Sequence, residues 1–578
     1  MTNFVQSLEF SSGTYYIRDN TKIAKYDSVT KLLTAEGLKE NMIVYTSNYD
    51  NTDGSECLFK IVKKQPSTPF LKFGSLFLEY LPLKSYNLSA FGFKENDDIS
   101  GSKINNILLW LANNRVELNI TNNYLVTLGD DIIIPSYSVI NGNNKTIKGK
   151  TPYNLTHYNI FKLNKSNNVI INNVVLDGVR DGNQSETGEW GHCIQINDSI
   201  NVEIKNCNLI NAFGDGIELG STKAGKIEPI VNIHNCVIDN CRRQGISVLS
   251  GENIRIHDCT ISNIYGTEPM AAIDIEPWFI GQQIKNVLIE NINIINCYRG
   301  ITAVEFKKYV TGVTNISLKN IVLDGLDKVK TNGCNFSNVT GDNNYVNIYI
   351  DNLSAYQLYG YALGFNNIDR TKTIVKCTNC NIIDCGYKYN VYHEARPIQI
   401  SYDNVALAQQ NKMGGIVLDN VNFSYGDGKT QQYVDICHTI NVGNTNWKLV
   451  DMYIKTNTNK IDNWKNYDHS IVIVPNNVIT KTPEIFDNNR LYTMISFEAN
   501  ENVYNIDNPT LFTGYEGLEL TFSNETGSLQ IGSKNLYPRT TQIGANGTKS
   551  TTPKSSITIK YSRFKWVVTK IVGNWTAL

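Results

Sequence analysis

Three acidic residues near the middle of the chain have a spacing that suits cleavage of a glycosidic bond. The stretch MAAIDIEPW at 270–278 places Asp274 and Glu276 two residues apart in an apolar, alternating run, and GDGIELG at 214–220 carries Glu218 in a similar setting. On a strand, Asp274 and Glu276 share one face at a separation of about 6.7 Å. Carboxyl groups about 6.5–9.5 Å apart suit an inverting hydrolysis, in which one protonates the leaving oxygen and the other activates a water.

A repeat surrounds these stretches and predicts the strands that position them. Short segments recur about every 23 to 33 residues, which is the period of a coil built from three short strands and their turns. The segments are NVIINNV at 168–174, NVEIKNC at 201–207, IVNIHNC at 230–236, NIRIHDC at 253–259, NVLIENI at 286–292, NISLKNI at 315–321 and NIYIDNL at 347–353, with weaker copies at 374–380 and 415–421. The sequence therefore predicts an all-β fold, a right-handed parallel β-helix with three-strand rungs.

Two columns of this repeat account for the abundant Asn and Cys. Stacked rungs align Asn or Asp side chains, whose amides can hydrogen-bond along the stack. This column contains Asn173, Asn206, Asn235, Asp258, Asn291, Asn320, Asn352 and Asn379. The next position is apolar or Cys, so the cysteines are predicted to be reduced packing residues. Cys377 and Cys380 are interpreted as repeat positions rather than half of a zinc site, since no second CxxC or His pair accompanies them.

Aligning the strand upstream of each Asn segment places the acidic residues on one face. The aligned strands are GHCIQIN, GDGIELG, RQGISVL, MAAIDIE and YRGITAV, and their inward positions are apolar. The outward column then contains Gln195, Glu218, Ser247, Asp274 and Thr302. Clustered carboxyl groups raise the pKa of one member and keep another ionised, which supplies an acid and a base. The predicted catalytic residues are Glu218, Asp274 and Glu276, and Asp215 is a further candidate.

Residues beside this column suit a sugar substrate. Three aromatic side chains bracket the column and could stack on pyranose faces: Trp190, Trp278 and Tyr298. Three arginines could hold acidic groups of a polymer: Arg242, Arg243 and Arg299. His192, Gln195 and Ser247 complete the predicted substrate-binding set. His192 and Asp215 precede their strands in turns, so the sequence leaves the direction of their side chains open.

The length and composition predict a multi-part chain without nucleic-acid or membrane partners. A net charge of −1 gives no basic excess for binding phosphates, and no apolar run approaches the length of a membrane span. The N-terminus lacks a secretory signal pattern. An amphipathic helix over 98–114 is predicted to cap the β-helix. The predicted domains are an N-terminal module at 1–85, the catalytic β-helix at 86–425, an irregular β region at 426–486 and an antiparallel β-sandwich at 487–578.

Several of these motifs resemble bacteriophage tailspikes with depolymerase activity, within the pectate-lyase-like β-helix superfamily. The segment at 38–62 is similar to the small module that precedes such spikes, and YNLSAFGFKENDDISGSKINNILLWLANN at 86–114 is similar to their entry segment. The usual GAKGDG form of that segment is replaced here by GFKENDD. The strands GDGIEL, RRQGISV and AAIDIEPW resemble β-helix motifs of the superfamily. The C-terminal region is only loosely similar, through WVVTKIVGNW.

The resemblance implies a homotrimer fixed to a virion tail or baseplate protein through its N-terminus and acting outside the cell, at the host surface. Its substrate would be a bacterial surface polysaccharide: a capsule, exopolysaccharide or O-antigen. We expect a glycoside hydrolase without a cofactor or metal, since no dense set of aspartates is stacked on successive rungs.

Two other functions remain open at this point. One is a polysaccharide lyase, in which Arg243 or Arg299 neutralises a uronate and His192 or a Tyr removes the proton. The other is a non-catalytic receptor-binding fibre. The shared β-helix motifs do not choose between these functions.

Overall fold

The computed structural model describes most of the chain up to residue 441 and selected segments beyond it. Before residue 23 it describes the strands at 4–5, 7–10 and 13–16. From 23 to 441 it omits 51–52, 186, 224–226, 329–330, 342, 387–395, 411, 428 and 430–433. The described segments after 441 are 449–458, 461, 471–474, 494–499, 502–505, 519–524, 529–532, 536–562 and 565–578. The chain divides into two compact units, one formed by 1–288 and 292–298 and the other by 289–291 and 299–578.

The first unit begins with a six-stranded sheet and a capping helix. In sheet order the strands are Phe4–Val5, Ile23–Tyr26, Ile43–Thr46, Cys57–Val62, Leu76–Tyr80 and Phe70–Phe73. A hairpin, Ser7–Phe10 with Gly13–Tyr16, a short helix, Val29–Leu32, and a 3₁₀ turn, Leu88–Phe91, complete this region. The predicted helix is present as Gly101–Asn113 and buries Ile104, Leu108 and Leu111, as the apolar spacing indicates.

Two runs of parallel strands follow in the first unit. The run that carries the candidate site comprises Ile132–Ile133, His157–Asn164, Trp190–Asn197, Ile217–Gly220, Ile246–Val248 and Ala271–Ile275. The second run comprises Ser85–Asn87, Glu117–Asn119, Tyr124–Val126, Val139–Gly149, Asn167–Asp177, Ile200–Lys205, Asn208–Ile210, Val231–His234, Val237–Asp239, Gly251–Ser262 and Ile284–Ile295. A 3₁₀ turn, Arg180–Gly182, lies between successive strands. Strands on successive rungs pair in parallel in both runs, which confirms the predicted parallel β-helix.

The second unit also stacks parallel strands in two runs. One comprises Arg299–Val304, Cys334–Ser337, Leu363–Asn366, Ile398–Tyr402 and Ile436–Ile440. The other comprises Gly312–Asp324, Asn344–Tyr356, Thr373–Ile383, Ile416–Ser424, Tyr453–Thr456, Ile471–Val474, Met494–Ala499 and Glu519–Asn524. Short helices lie at Phe306–Tyr309 and Val405–Gln409. Parallel pairing thus continues past residue 425, where the sequence repeat fades.

The C-terminal part contains the antiparallel strands that its sequence predicts. Glu519–Asn524, Ser555–Ser562 and Lys565–Val572 pair in antiparallel fashion, and Leu536–Tyr537 adds to the last of them in parallel. A separate sheet contains Asn502–Asn505, Leu529–Gly532, Gly547–Ser550 and Thr576–Ala577. The limits of the four predicted domains remain predictions.

The core of the first unit is built from the inward apolar positions of the site-bearing strands. Ile194 pairs with Ile217, Ile217 with Ile246, and Ile246 with Ile273, and all four side chains are fully buried. The predicted register is therefore confirmed on these rungs. All twelve cysteines are buried and free, as the packing interpretation expects, and this includes Cys377 and Cys380. No helix among the described residues has the length and apolar character to cross a membrane.

The Asn column marks a repeated turn. Asn173, Asn206, Asn235 and Asp258 all have positive φ angles of 54° to 56°. Asn and Asp tolerate this left-handed conformation better than most other residues with a side chain, because their short polar groups hydrogen-bond locally. In the second unit the Asn352 amide donates to Asn320 and the Asn320 amide donates to Asn291, each at 2.8 Å. The column explains why Asn recurs at the same position of the repeat.

Candidate functional site

The register of the first unit brings four predicted site residues into one column. Gln195 pairs with Glu218, Glu218 with Ser247, and Ser247 with Asp274, on strands Trp190–Asn197, Ile217–Gly220, Ile246–Val248 and Ala271–Ile275. The apolar residues on either side of each of these four, isoleucine in most cases, are buried in the core. The alternation of side chains along a strand therefore places these four residues on the opposite face.

The four residues face away from the core, as the alternation predicts, but the column is buried. Asp274 and Ser247 are 0% exposed, Glu218 is 5% exposed and Gln195 is 8% exposed. The turn residues that precede the strands contribute to this burial, because the side chain of Gln244, itself fully buried, donates a hydrogen bond to Asp274 Oδ2. Strand alternation determines which face a side chain takes, but it does not reveal whether neighbouring turns cover that face.

His192 lies between two carboxyl groups at the centre of the site. Its Nε2 is 3.3 Å from Glu218 Oε2, and its Nδ1 is 3.6 Å from Asp215 Oδ2. The backbone N–H of Asp215 donates to Nδ1 at 3.2 Å. In the neutral ring the proton is therefore on Nε2, the atom that faces Glu218. The prediction that His192 precedes its strand in a turn is wrong, because it lies within strand Trp190–Asn197. Asp215 does precede strand Ile217–Gly220, and the side chains of both residues lie near Glu218 or each other.

The pKa values of Asp215 and Glu218 are shifted in opposite directions by their surroundings. Burial raises the pKa of Asp215 to about 6, although the charges of His192 and Arg243 oppose this shift. The pKa of Glu218 is lowered to about 2, because the charge and hydrogen bonding of His192 and the Gln195 hydrogen bond outweigh the effect of burial. Gln195 Nε2 donates to Glu218 Oε1 at 2.8 Å. Burial disfavours a charged His192, but Glu218 outweighs it and leaves the pKa of His192 raised.

The carboxyl group of Asp215 is buried and has no hydrogen-bond donor among the described residues. Its side chain is fully buried, and neither carboxyl oxygen accepts a hydrogen bond from any described residue. The nearest basic atoms to Oδ2 are Arg243 Nη1 at 3.5 Å and His192 Nδ1 at 3.6 Å. Buried polar groups are nearly always hydrogen-bonded, so an exception needs an explanation. A carboxyl group with a pKa of about 6 is largely protonated in mildly acidic solution and can give its proton to a ligand.

Arg243 connects the buried carboxyl groups to more exposed ones. Its Nε is 3.3 Å from Glu189 Oε2, and its Nη2 is 4.0 Å from Glu276 Oε2. The side chains of Glu189 and Glu276 are 42% and 35% exposed, whereas that of Arg243 is 13% exposed. Glu189 was missed by the sequence analysis because it lies in the turn before Trp190, outside the aligned strands. The one sequence signal for a role of Glu189 in the site is its position directly before Trp190, a predicted substrate-binding residue.

The remaining predicted residues lie in several places. Trp190 and Trp278 stack on each other with ring centres 6.4 Å apart, and Trp278 is 55% exposed. Arg242 is directed elsewhere, since its Nη1 donates to the Gly188 carbonyl at 2.6 Å and its guanidinium lies over the Phe213 ring.

Two further predicted substrate-binding residues, Tyr298 and Arg299, lie where the two units meet in the sequence. The backbone N–H of Tyr298 donates to the carbonyl of Ile264. Arg299 begins strand Arg299–Val304 of the second unit, and Thr302 lies on the same strand. The parts of Tyr298 and Arg299 in substrate binding stay predictions.

His192, Asp215 and Glu218 are also the group that could hold a metal ion. One possible ligand atom from each residue lies within 4.8 Å of the other two. The imidazole stands between the carboxyl groups, however, and its Nδ1 already accepts a backbone hydrogen bond. Arg243 also places a positive charge 3.5 Å from Asp215 Oδ2. This arrangement fits proton exchange better than coordination of a cation.

Comparison with known proteins supports the fold of the site-bearing region. A family model described as a right handed beta helix region matches residues 94–272, and its description agrees with the predicted hand of the helix. No curated protein matches the sequence significantly. The matched segment contains His192, Asp215, Glu218 and Arg243, whereas Asp274 and Glu276 lie just beyond it.

Several similar solved structures are phage tailspikes. The tailspike of Acinetobacter baumannii bacteriophage Fri1, described as a capsular polysaccharide depolymerase, is 10% identical, with 95% of this chain and 92% of that chain covered and a TM-score of 0.43. A tailspike variant of Escherichia coli bacteriophage HK620 in complex with a hexasaccharide is 9% identical, with coverages of 83% and 75% and a TM-score of 0.33.

A bacterial protein with a tailspike-like fold is also similar. It is a glycan biofilm modifying enzyme of Pantoea stewartii, 13% identical, with 65% of this chain covered and a TM-score of 0.34. The match covers 50% of that enzyme. At these low identities and TM-scores, the fold assignment rests on the strand pairing of this chain and on the family match.

Proposed function

We propose that this protein is a phage tailspike that binds and depolymerises a bacterial surface polysaccharide by hydrolysing glycosidic bonds. The observation that carries the proposal is the pair of carboxyl groups on either side of His192, because their surroundings raise the pKa of Asp215 and lower that of Glu218. Such a pair provides a proton donor and an ionised group in one cluster at mildly acidic pH.

In the proposed reaction Asp215 gives its proton to the leaving glycosidic oxygen. Glu218, which stays ionised, acts on the sugar carbon or on the attacking water. Both groups are buried in the free protein. Arg243 lies near Asp215 and near the more exposed Glu189 and Glu276, and we expect its side chain to move when substrate enters. The stacked Trp190 and Trp278 offer an apolar surface for a sugar ring, and Trp190 lies on the same strand as His192.

The assembly in this proposal is a homotrimer attached to the virion through the N-terminal module, acting at the host cell surface. An apolar area on the second unit supports self-association. Tyr345 and Tyr349 point to the same side of strand Asn344–Tyr356, Val313 pairs with Tyr345, and Ile374 pairs with Asn347 on that side. The four apolar side chains are 40% to 56% exposed. Contiguous exposed apolar surface of this kind is typical of a protein–protein interface.

The proposal is tested by spotting the purified full chain on lawns of a panel of encapsulated bacteria. We expect a halo of capsule loss on at least one strain, and a loss of activity of about 100-fold or more in Glu218→Gln. The matched control is Glu252→Gln in the same unit, whose partner is Lys285 at 3.6 Å, and it should keep the parental activity. Binding to cells without any shortening of the polymer would instead identify a receptor-binding fibre.

A further inference from the structure

The candidate site carries many more acidic than basic groups. Its carboxyl groups are Glu189, Asp215, Glu218, Asp274 and Glu276, and they surround the basic side chains of His192 and Arg243. Even with a charged His192 and a neutral Asp215, the carboxylates outnumber the cations. An anionic ligand would therefore be repelled unless one cation were available to it.

Each side-chain nitrogen of Arg243 lies within 4.0 Å of a carboxyl group, although Nε makes no hydrogen bond to a described residue. Nε lies 3.3 Å from Glu189, Nη1 lies 3.5 Å from Asp215 and donates to Gln244 Oε1 at 2.9 Å, and Nη2 lies 4.0 Å from Glu276. Arginine recognises a carboxylate through two parallel N–H bonds from neighbouring nitrogens. A ligand carboxylate would have to displace at least one of these protein groups, and Glu189 or Glu276, once displaced, would remain as a nearby negative charge.

Arg242, the residue before Arg243, does not provide a cation for an anionic ligand either. Arg242 Nη1 donates to the Gly188 carbonyl, and the Arg242 guanidinium packs 4.2 Å from the centre of the Phe213 ring. Its guanidinium is thus engaged by the Gly188 carbonyl and the Phe213 ring. The acceptors around Glu218 and Glu276 suit a ligand rich in hydroxyl or amide donors, because ionised carboxylates only accept hydrogen bonds.

We infer that the sugar residues on either side of the bond cleaved at this site are uncharged, such as hexoses or N-acetylated sugars, and are not uronates. This inference rests on the proposed function and narrows its substrate class. It also disfavours cleavage by β-elimination here, because elimination beside a uronate carboxylate needs a cation free to neutralise that carboxylate. Acidic sugars are accommodated only at other positions of the polymer.

The test compares one polysaccharide in two chemical forms. The polymer of a strain on which the chain forms a halo is purified, and a portion is treated so that its uronates are reduced to the matching neutral sugars. Both forms are incubated with the full chain, and the sugars at the newly formed ends are identified by mass spectrometry. We expect uncharged sugars at both new ends and a rate on the reduced polymer within about threefold of that on the native polymer.

A uronate at either new end, or loss of cleavage after reduction, would overturn this inference while leaving depolymerisation intact. If neither form is shortened, the proposed function itself is contradicted, and the inference is contradicted with it. Glu189→Gln, which removes one carboxylate from Arg243, should bind acidic polymer more tightly than the parent protein, whereas Glu252→Gln should not. Equal binding by the two variants would contradict the assigned role of Arg243.

Discussion

Asp215 is the residue whose protonation should control this site. Its pKa in the folded protein is raised to about 6 from an ordinary value near 3.8, chiefly by burial. The folded state therefore holds this proton more tightly than the unfolded chain. The stabilising effect of the protonated form is present below about pH 4 and is lost as the pH rises through about 6.

This shift leads to a prediction for Asp215→Asn. The amide has nearly the same shape and carries no charge, so the variant should unfold at a higher temperature than the parent at pH 8 and at a similar temperature at pH 4. The pKa difference corresponds to about 3 kcal/mol at alkaline pH. Scanning calorimetry at the two pH values measures the difference, and an equal change at both would show that Asp215 does not titrate in this way. The variant should also lose depolymerase activity at both pH values.

At the residue scale, the sequence predicts which acidic and amide side chains share a face but not which ones meet. Glu218 was identified because strand alternation and repeat spacing determine its position. The pairing of His192 with Asp215 and Glu218 could not be predicted, since Asp215 lies in a turn, whose direction depends on tertiary contacts, and the start of the strand that contains His192 was placed too late. Gln244 and Glu189 were missed for the same reason, although one bonds to Asp274 and the other lies beside Arg243.

The Asn turn is the element that repeats most regularly, and it can be tested at one position. Asn206 has a φ of 55°, and its amide donates to Asn172 Oδ1 at 2.8 Å. Asn206→Ala loses the hydrogen bond and also places a Cβ in a left-handed turn, whereas Asn206→Gly loses the hydrogen bond alone. The alanine variant should therefore be less stable than the glycine variant by about 1 kcal/mol in thermal unfolding. The opposite order would contradict the assigned role of the turn.

At the element scale, the sequence predicts rungs well where the repeat is regular. Ile217, Ile246 and Ile273 are fully buried on successive strands because a period of two, repeated with each turn of the coil, leaves one consistent register. After residue 425 the parallel strands continue with short, irregular segments such as Tyr453–Thr456 and Ile471–Val474. Their pairing depends on the preceding rung more than on a pattern of their own, so the sequence could not reveal it.

At the scale of the whole molecule, the proposed homotrimer gives a measurable prediction. Light scattering of the purified 578-residue chain should give a mass three times that of one chain. Tyr345→Glu places a charge in the exposed apolar area beside Val313 and should shift the mass towards that of one chain. Leu33→Glu is the control, since Leu33 is a 40% exposed leucine of the first unit. A trimer that tolerates both substitutions would place the interface elsewhere, and a monomeric parent protein would contradict the assembly.

The most direct test of the proposed hydrolysis is to identify the products formed when the polysaccharide is cleaved. Polysaccharide from a halo-forming strain is treated with the parent protein and with Glu218→Gln, and new reducing ends and ultraviolet absorbance are followed together. Hydrolysis by the carboxyl groups around His192 predicts that reducing ends accumulate with the parent protein, without an unsaturated sugar, and that Glu218→Gln forms them at least about 100-fold more slowly. An ultraviolet-absorbing unsaturated product, or a parental rate with Glu218→Gln, would contradict it.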